Sequence, residues 1–367
     1  MPLATLDQRQ AELFTQGDSD FELPHRDGDG LGPLYIRTSC SACHREDLRG
    51  PGLVQKMVLV EADGVTPLAD QSLLAFGHTV RPHVAAGAAN PILPPADEPT
   101  LKLTTRLGPA VLGRGYMEAI RDDEIERVAA EQAERSDAIH GRVNHVVFAS
   151  QANPDTAFHT HQSGDLVIGR FGLKARVATL DDFTADAFQG DMGLTTPLRP
   201  TELANPDGLT DDETVGVDVP IESVEAISMY LRALDIPTRA DSGGAGPALF
   251  DEVRCAACHV PSMRTRADYP IAELADIDAP IFSDMLLHDL GDELADGMVE
   301  GEADSRSWRT APLIGLRFMR TYMHDGRAKS LEEAILAHGG EATESVSLFE
   351  ALAPGDRAAL LEYVGSL

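Results

Sequence analysis

Apolar residues recur at helical spacing in two segments of this chain. In "KSLEEAILAHGG", residues 329–340, Leu331, Ile335 and His338 fall at i, i+4 and i+7, on one face of a helix. Ser330, with Glu333 three residues later, gives this helix a capping box, and a Gly-Gly pair ends it. The segment "SVEAISMYLRAL", residues 223–234, predicts a second helix.

Between the helical segments the pattern favours loops and a few short strands. "VNHVVFAS", residues 143–150, is strand-like, and the Pro-rich "AAGAANPILPPADEP", residues 85–99, predicts a loop. "IPTRADSGGAGP", residues 236–247, has the composition of a linker. We therefore expect a mainly α fold with two domains, residues 1–238 with a long middle insertion and residues 239–367.

Composition narrows the function classes. The 367 residues include 60 acidic and 30 basic residues, which give a formal charge of -30. This charge argues against binding of nucleic acid or of an anionic membrane through a basic surface. An acidic surface suits a small basic redox protein as electron donor or acceptor. No run of about 18 apolar residues predicts a membrane span.

The four cysteines fall in two similar stretches, "SCSACH" and "RCAACH". Cys40 and Cys43 precede His44, and Cys255 and Cys258 precede His259. This spacing is typical of c-type haem attachment, in which two thiols bond the haem vinyl groups and the histidine ligates iron. A zinc site built from four cysteines is the alternative. We call the two motifs, cysteines with their histidine, the first clamp and the second clamp.

The clamps suggest an internal repeat and a location. Leu34-Tyr35 precedes the first clamp at the same distance as Leu249-Phe250 precedes the second, and Gly-Pro comes before each pair. We expect a short helix at both places, in two cytochrome c-like haem domains. Such haem is attached outside the cytoplasm. The chain starts without a basic, apolar leader, so we expect a periplasmic protein whose signal has been removed.

The iron ligand opposite each clamp histidine decides the chemistry of that haem. For the second haem the apolar face of the 329–340 helix favours His338. The rival ligands are His288, His324, Met285 and Met323. For the first haem the candidates are His78, His83 and Met192, and no spacing distinguishes them.

Several polar residues remain as candidates for other roles. Glu118, between a Gly-rich turn and a helix start, is either a helix N-terminal acid or a catalytic acid that moves a proton in peroxide cleavage. Arg309, Arg327 and Lys174 would pair with haem propionates or with surface acids. "HRDGDGLG", residues 25–32, predicts a turn; calcium is the alternative, but an EF-hand frame would place Thr38 where glutamate is needed.

The segment 307–340, with its Tyr-Met-His-Asp-Gly and Leu-Glu-Glu-Ala motifs, resembles the end of the bacterial dihaem cytochrome c peroxidase superfamily. The whole chain, from about residue 14, resembles its branch often labelled thiol oxidoreductase-like. The motifs that carry this are "GDGLGPLYIRTSCSACH", "RLGPAVLGRGYMEAI", "IGRFGLKARVATL", "DMGLTTP", "LLHDLG" and "EGEADSRSWRTAPLIGL". The superfamily's Trp-Asp-Gly-Arg segment has no match here.

The resemblance implies two haems with divided roles. It places the sixth ligand of the second haem fourteen residues after His324, at His338, where the family often has methionine. It implies a reactive first haem that binds an oxidant and a second haem that transfers electrons. The leading hypothesis is a peroxidase-like oxidoreductase. The alternatives are a dihaem electron carrier and a maturation enzyme that oxidises a residue of a partner protein.

Overall fold

The computed structural model describes residues 1–154, 156–209, 216–239 and 244–367. Long loops and short 3₁₀ turns connect the regular elements in these ranges. The helices are α1 (Gln8–Glu22), α2 (Arg114–Ala119), α3 (Asp122–Ala133), α4 (Leu180–Ala187), α5 (Ile221–Ala233), α6 (Gly246–Glu252), α7 (Leu331–Leu336), α8 (Thr343–Ala351) and α9 (Pro354–Ser366).

The strands are short and pair two by two. They are β1 (Leu34–Tyr35), β2 (Leu53–Leu59), β3 (His83–Val84), β4 (Leu101–Leu107), β5 (His145–Val147), β6 (Leu166–Ile168), β7 (Met263–Arg264), β8 (Asp278–Ala279), β9 (Leu287–Asp289) and β10 (Ser307–Arg309). The antiparallel pairs are β1–β3, β2–β4, β5–β6, β7–β8 and β9–β10. This confirms a mainly α fold with a few short strands.

The larger hydrophobic core is organised around the crossing of α1 and α5. A β-carbon at Gly17 of α1 would lie 2.0 Å from the Ala226 carbonyl oxygen of α5, so the two helices approach as closely as glycine allows. One helical turn later the Phe21 ring lies against Tyr230, with ring centres 5.4 Å apart. Buried apolar residues of α5 fill the space below this crossing.

The smaller core repeats this crossing with α6 and α9. A β-carbon at Gly246 would lie 2.4 Å from the Tyr363 β-carbon. Phe250, four residues after Gly246, packs edge-on against Tyr363 with ring centres 5.6 Å apart. Both halves of the chain therefore carry the same contact set, in which a glycine and a phenylalanine four residues later meet a tyrosine.

The expected repeat upstream of the clamps is wrong for the first one. Leu249-Phe250 lies in a helix, α6, but Leu34-Tyr35 forms strand β1 and pairs with His83-Val84. The strand forms because backbone partners are available on both sides: the Ile36 amide donates to the Asp191 carbonyl at 2.7 Å. The structural counterpart of Phe250 is Phe21, nineteen residues before the first clamp.

The other pattern-based predictions agree with the structure. Segment 223–234 lies in α5, segment 143–150 contains β5, and segment 85–99 is loop apart from one isolated bridge at Ile92.

The linker prediction falls partly on residues 240–243, outside the described residues. The larger core includes Met263 and Ile271 from beyond residue 239. The division at 238/239 stays a prediction. Among the described residues no helix is long and apolar enough to cross a membrane.

Candidate functional site

The first clamp is a tight turn. The amides of Cys43 and His44 both donate to the Cys40 carbonyl at 3.0 Å. Burial, with the Asp191 charge adding to it, raises the pKa of the Cys40 thiol to about 12 and that of Cys43 to about 11. Neither thiol is a thiolate at neutral pH, which argues against a role as a free nucleophile.

His44 is held by a backbone carbonyl outside its own segment. Its Nδ1 lies 2.6 Å from the Pro109 carbonyl oxygen, so Nδ1 carries the proton and donates it. Burial lowers the pKa of His44 to about 4. The ring is therefore neutral and its Nε2 lone pair is available to a metal.

The second clamp has the same turn and the same histidine arrangement. The Cys258 and His259 amides donate to the Cys255 carbonyl at 3.3 and 2.9 Å. His259 Nδ1 lies 3.1 Å from the Phe282 carbonyl oxygen. Burial, and then the neighbouring His338, lowers the pKa of His259 to about 4. All four cysteines lie in the described ranges, and the structure joins none of them in a disulfide.

His338 lies two residues beyond the end of α7 at Leu336, whereas the apolar pattern predicts it on the face of the helix. Ser330 caps the helix by accepting the Glu333 amide at 3.1 Å. His338 Nδ1 lies 2.7 Å from the Ala334 carbonyl oxygen, and burial lowers its pKa. Each of the three predicted iron ligands, His44, His259 and His338, thus donates Nδ1–H to a backbone carbonyl. Within the described residues, none of their Nε2 atoms has a hydrogen-bond partner.

A cavity of about 260 Å³ joins the second clamp to His338. Cys255, Cys258, His259 and His338 all line it, which brings the predicted ligands of the second haem together. The cavity extends to Pro109 and Ala110, the peptide behind His44. The cavity at the second clamp therefore reaches the Pro109 backbone, which holds His44 of the first clamp.

Among the rivals for the second haem, both His288 nitrogens are already bonded. Nε2 lies 2.8 Å from Asp284 and Nδ1 lies 2.7 Å from Glu341. Burial alone would lower the pKa of His288, but the Asp284 and Glu341 carboxylates raise it well above 6.5. His288 is therefore a buried imidazolium, which has no lone pair for iron. Met285 is packed in the larger core, and Met323 lines the cavity.

His324 is stacked on the only tryptophan. The His324 and Trp308 ring centres are 4.1 Å apart, and the planes differ by 18°. The Lys174 ammonium lies 4.2 Å from the Trp308 ring centre. A buried cation against the indole stabilises the neutral ring and opposes removal of an electron from it. Trp308 is buried in the cavity wall, where its indole nitrogen donates to the Leu294 carbonyl at 3.1 Å.

The candidates opposite His44 differ in their surroundings. His83 is exposed and stacks on Tyr35 with ring centres 5.3 Å apart. Met192 is buried in the larger core. His78 is half-buried, and its Nδ1 lies 3.0 Å from the Met57 carbonyl oxygen, as in the three predicted ligands. Of the three candidates, His78 is the one with an Nδ1–carbonyl hydrogen bond like those of the predicted ligands; the sixth ligand of the first haem stays a prediction.

Glu118 lies in a buried ion-pair network and does not line the cavity. It accepts hydrogen bonds from Arg232 at 2.6 and 3.1 Å, from the Tyr269 hydroxyl at 2.8 Å and from the Leu180 amide at 2.7 Å. Burial would raise the pKa of Glu118, but the Arg232 charge holds it below its usual value. An acid that is ionised and fully bonded favours a structural role, and the catalytic role stays a prediction.

The Asp-rich segment 25–32 forms the predicted turn. A 3₁₀ turn spans Asp27–Asp29, and the side chains of these two residues accept the Ala86 and Arg26 amides at 3.1 and 3.0 Å. These contacts account for the aspartates as turn residues. Calcium binding here stays untested.

Comparison with known proteins identifies the family. The family model described as "Di-haem oxidoreductase, putative peroxidase" matches residues 96–367, well over half of the chain. The chain therefore belongs to the di-haem oxidoreductase family, which confirms the resemblance inferred from its motifs. The match includes the second clamp and begins after the first. No curated protein matches the chain.

Three solved structures are similar over most of their length. Hydrazine synthase of Kuenenia stuttgartiensis has a TM-score of 0.46 at 14% identity, covering 100% of this chain and 93% of that chain. The diheme peroxidase BthA of Burkholderia thailandensis E264 has 0.43 at 13%, covering 100% and 87%. A MauG-like protein associated with microbial copper homeostasis has 0.33 at 16%, covering 76% and 95%. At these TM-scores nothing further follows from the likenesses.

Family membership implies two haems, and the residues present fit them. Each clamp offers two thiols and a neutral histidine with a free Nε2, and the cavity at the second clamp offers a further such histidine. Sequence reasoning missed the Pro109 carbonyl, which no local pattern connects to His44. It also missed Gly17 and Phe21, although the spacing Gly-x-x-x-Phe before both clamps would have found them.

Proposed function

We propose that this chain is a periplasmic c-type dihaem oxidoreductase of the peroxidase type. In this proposal Cys40 and Cys43 bind one haem, and Cys255 and Cys258 bind the other, through thioether bonds. The observation that carries it is the shared geometry of His44, His259 and His338, each with Nδ1 on a backbone carbonyl. That bond fixes the ring and directs Nε2 to iron.

The two helix crossings support a cytochrome c-like unit around each clamp. Phe21 lies beside His44, with ring centres 6.2 Å apart, and Phe250 belongs to the helix that leads into the second clamp. Each crossing would thereby support the clamp histidine that would hold its haem. The proposed units are thus built from the same contacts in both halves.

The two haems have different surroundings, which supports different roles. At the second clamp His259 and His338 line one cavity, so both would hold the iron of a haem there, and such a haem would suit electron transfer. At the first clamp His44 is the one predicted iron ligand that the described part of the chain places beside its motif. A bound haem supplies one-electron redox chemistry and, where an axial position is open, a place for peroxide. We assign the reactive role to the first haem.

The partner in this proposal is a small basic redox protein that donates or accepts electrons. The chain carries a formal charge of -30, which attracts a basic partner and speeds its association. The periplasmic location follows from the chemistry, because c-type haem is attached outside the cytoplasm.

Haem counting in paired variants tests the proposal. The wild-type chain, matured with its attachment machinery, should keep two haems after denaturation. Cys40→Ala/Cys43→Ala and Cys255→Ala/Cys258→Ala should keep one haem each, and the first variant should lose peroxide reduction. The exposed His83→Ala serves as a control that keeps both haems. Haem that washes out on denaturation, or peroxide reduction that survives loss of the first clamp, contradicts the proposal.

A further inference from the structure

Four arginines line the cavity at the second clamp, and only one of them is paired with acids. Arg254 forms ion pairs with Asp137 and Glu344. The other three, which we call the cavity arginines, have no carboxylate within ion-pair distance in the described ranges: they are Arg49, Arg114 and Arg309. Arg327 and Lys174, by contrast, pair with Asp325 at 2.8 Å and Asp296 at 3.3 Å.

The hydrogen bonds of the cavity arginines go to neutral acceptors. Arg114 donates to the Ala110 carbonyl at 3.0 Å and contacts the Met117 sulfur at 2.7 Å. Arg309 donates to the Gly172 and Thr310 carbonyls at 3.2 and 2.8 Å.

Arg49 has fewer hydrogen-bond partners than Arg114 and Arg309 in the described residues. Its Nε and Nη2 atoms are buried and have no hydrogen-bond partner in the part of the chain that the structure describes. Burial lowers the pKa of Arg49 to about 10, that of Arg114 to about 9 and that of Arg309 to about 10. All three guanidinium groups therefore remain charged at neutral pH.

Buried unpaired charges are costly, so these three cations point to an anion from outside the polypeptide. The effective penalty for removing an ion from water is several kcal/mol unless a counter-ion is present. The chain has 60 acidic residues, yet none in the described ranges lies within ion-pair distance of these cations; Asp325 and Asp284 act on Arg49 and Arg309 only as more distant charges. A shortage of acids therefore does not explain the arrangement.

We propose that Arg49, Arg114 and Arg309 bind the propionate carboxylates of the haem attached to Cys255 and Cys258. A haem tethered there and ligated by His259 has to occupy this cavity. Its thioethers form at the vinyl edge, so its propionates lie across the macrocycle from the cysteines. Guanidinium groups match carboxylates with two parallel hydrogen bonds. The inference rests on haem attachment at the second clamp, as proposed above, and not on the reaction.

The site also links the two clamps. Arg49 follows His44 of the first clamp by five residues, Arg114 is the first residue of α2, and Arg309 belongs to β10. The Ala110 carbonyl accepts from Arg114, and the adjacent Pro109 carbonyl accepts from His44 Nδ1 at 2.6 Å. Arg114 would thus connect the propionates of the second haem to the backbone turn that positions the histidine of the first.

The test measures the reduction potential of the second haem in Arg114→Gln and Arg309→Gln, prepared with both haems attached. Loss of a cation beside the haem disfavours the added electron, so the midpoint potential shifts down in both variants. It also becomes pH-dependent near neutrality, because a propionate without its arginine ionises at higher pH. Arg114→Lys retains the charge and restores most of the wild-type value. Arg127→Gln, on the surface of α3, is the control and leaves the potential unchanged.

Other results would overturn either the arginine assignment or the proposed function. Unchanged potentials in both variants, with two haems present, overturn the arginine assignment and leave the proposed function standing. Absence of covalent haem at the second clamp overturns the proposed function itself. If either variant fails to fold, the wild-type potential still decides: a strong pH dependence between about pH 6 and 8 overturns the assignment.

A soluble dicarboxylate is the other source of carboxylates for these arginines. Succinate is the probe for it. If propionates fill the site, succinate leaves the melting temperature and haem spectrum of the wild type unchanged. If succinate stabilises the wild type but not Arg114→Gln, the site binds a free anion and the propionate assignment is overturned.

Discussion

Tyr363 of α9 lies directly over Gly246 of α6, with no room for a side chain at position 246: a β-carbon there would be 2.4 Å from that of Tyr363. Tyr230 of α5 stands in the same relation to Gly17 of α1, where the β-carbon distance would be 2.7 Å. The two tyrosines also contact the phenylalanines one turn after each glycine. The two crossings fix α1, which precedes the first clamp, and α6, which precedes the second.

Filling either crossing should destabilise the fold. Gly246→Ala and Gly17→Ala force the helices apart, and we expect the free energy of unfolding to fall by about 1–3 kcal/mol in each. Gly355→Ala is the matched control, because no atom lies within 4 Å of the added β-carbon in α9. That change should stabilise the protein by about 0.4–1 kcal/mol. Denaturant titration of the haem-loaded proteins measures all three, and equal stabilities would contradict the close packing described here.

Glu118→Gln separates a structural from a catalytic glutamate. The change removes the charge that faces Arg232, so we expect a loss of about 3–5 kcal/mol in stability. Peroxide turnover per folded molecule and its pH profile should remain as in the wild type, since the carboxylate lies outside the cavity lining. A stable Glu118→Gln protein with a shifted pH profile would instead support the catalytic interpretation.

His338→Met should raise the potential of the second haem. A methionine sulfur favours ferrous iron more than an imidazole nitrogen does, and axial ligands span roughly 0.8 V of haem potential. We expect an upward shift that is a substantial part of that range, with the first haem unaffected. Spectroelectrochemistry resolves the two haems. An unchanged second potential would mean that His338 is not an iron ligand.

His288 gives stability a pH dependence with a defined sign. The pKa of His288 is raised well above 6.5 in the fold, so the folded chain keeps a proton that the unfolded chain releases above that pH. Its contribution is complete below about pH 6.5 and is lost as pH rises towards the folded pKa, at about 1.4 kcal/mol per pH unit.

Thermal unfolding between about pH 7 and 9 checks this prediction. The wild type should lose stability with rising pH more steeply than His288→Gln, although the variant is less stable throughout. Parallel slopes would show that His288 is not a buried imidazolium.

Short-range patterns predicted the local features of this protein well. The Ser330 N-cap, helix α5 and both clamp motifs depend on neighbours within a few residues, so their spacing is visible in the chain; the reciprocal half of the predicted capping box does not form, because Glu333 accepts the Lys329 amide instead. The same periodicity indicated His338, although α7 ends at Leu336 and His338 follows the helix. The structure places it in one cavity with His259.

Contacts between distant segments could not be predicted from local sequence patterns. Leu34-Tyr35 becomes a strand because residues 83–84 and 191 offer backbone partners. The sequence near residue 34 does not predict these partners, because they lie far away in the chain. The Glu118–Arg232 pair and the Pro109–His44 bond also join distant segments. The Gly-x-x-x-Phe repeat is visible in the sequence, but the tyrosines that face it, Tyr230 and Tyr363, lie far away in the chain.

Electron paramagnetic resonance of the fully oxidised, haem-loaded protein distinguishes an open first haem from a six-coordinate one. We expect a low-spin signal from the haem between His259 and His338, beside a high-spin ferric signal from the haem at His44. Loss of the high-spin signal in Cys40→Ala/Cys43→Ala would assign it to the first haem. Two low-spin signals in the wild type would contradict an open first haem and would direct attention to His78 as its second ligand.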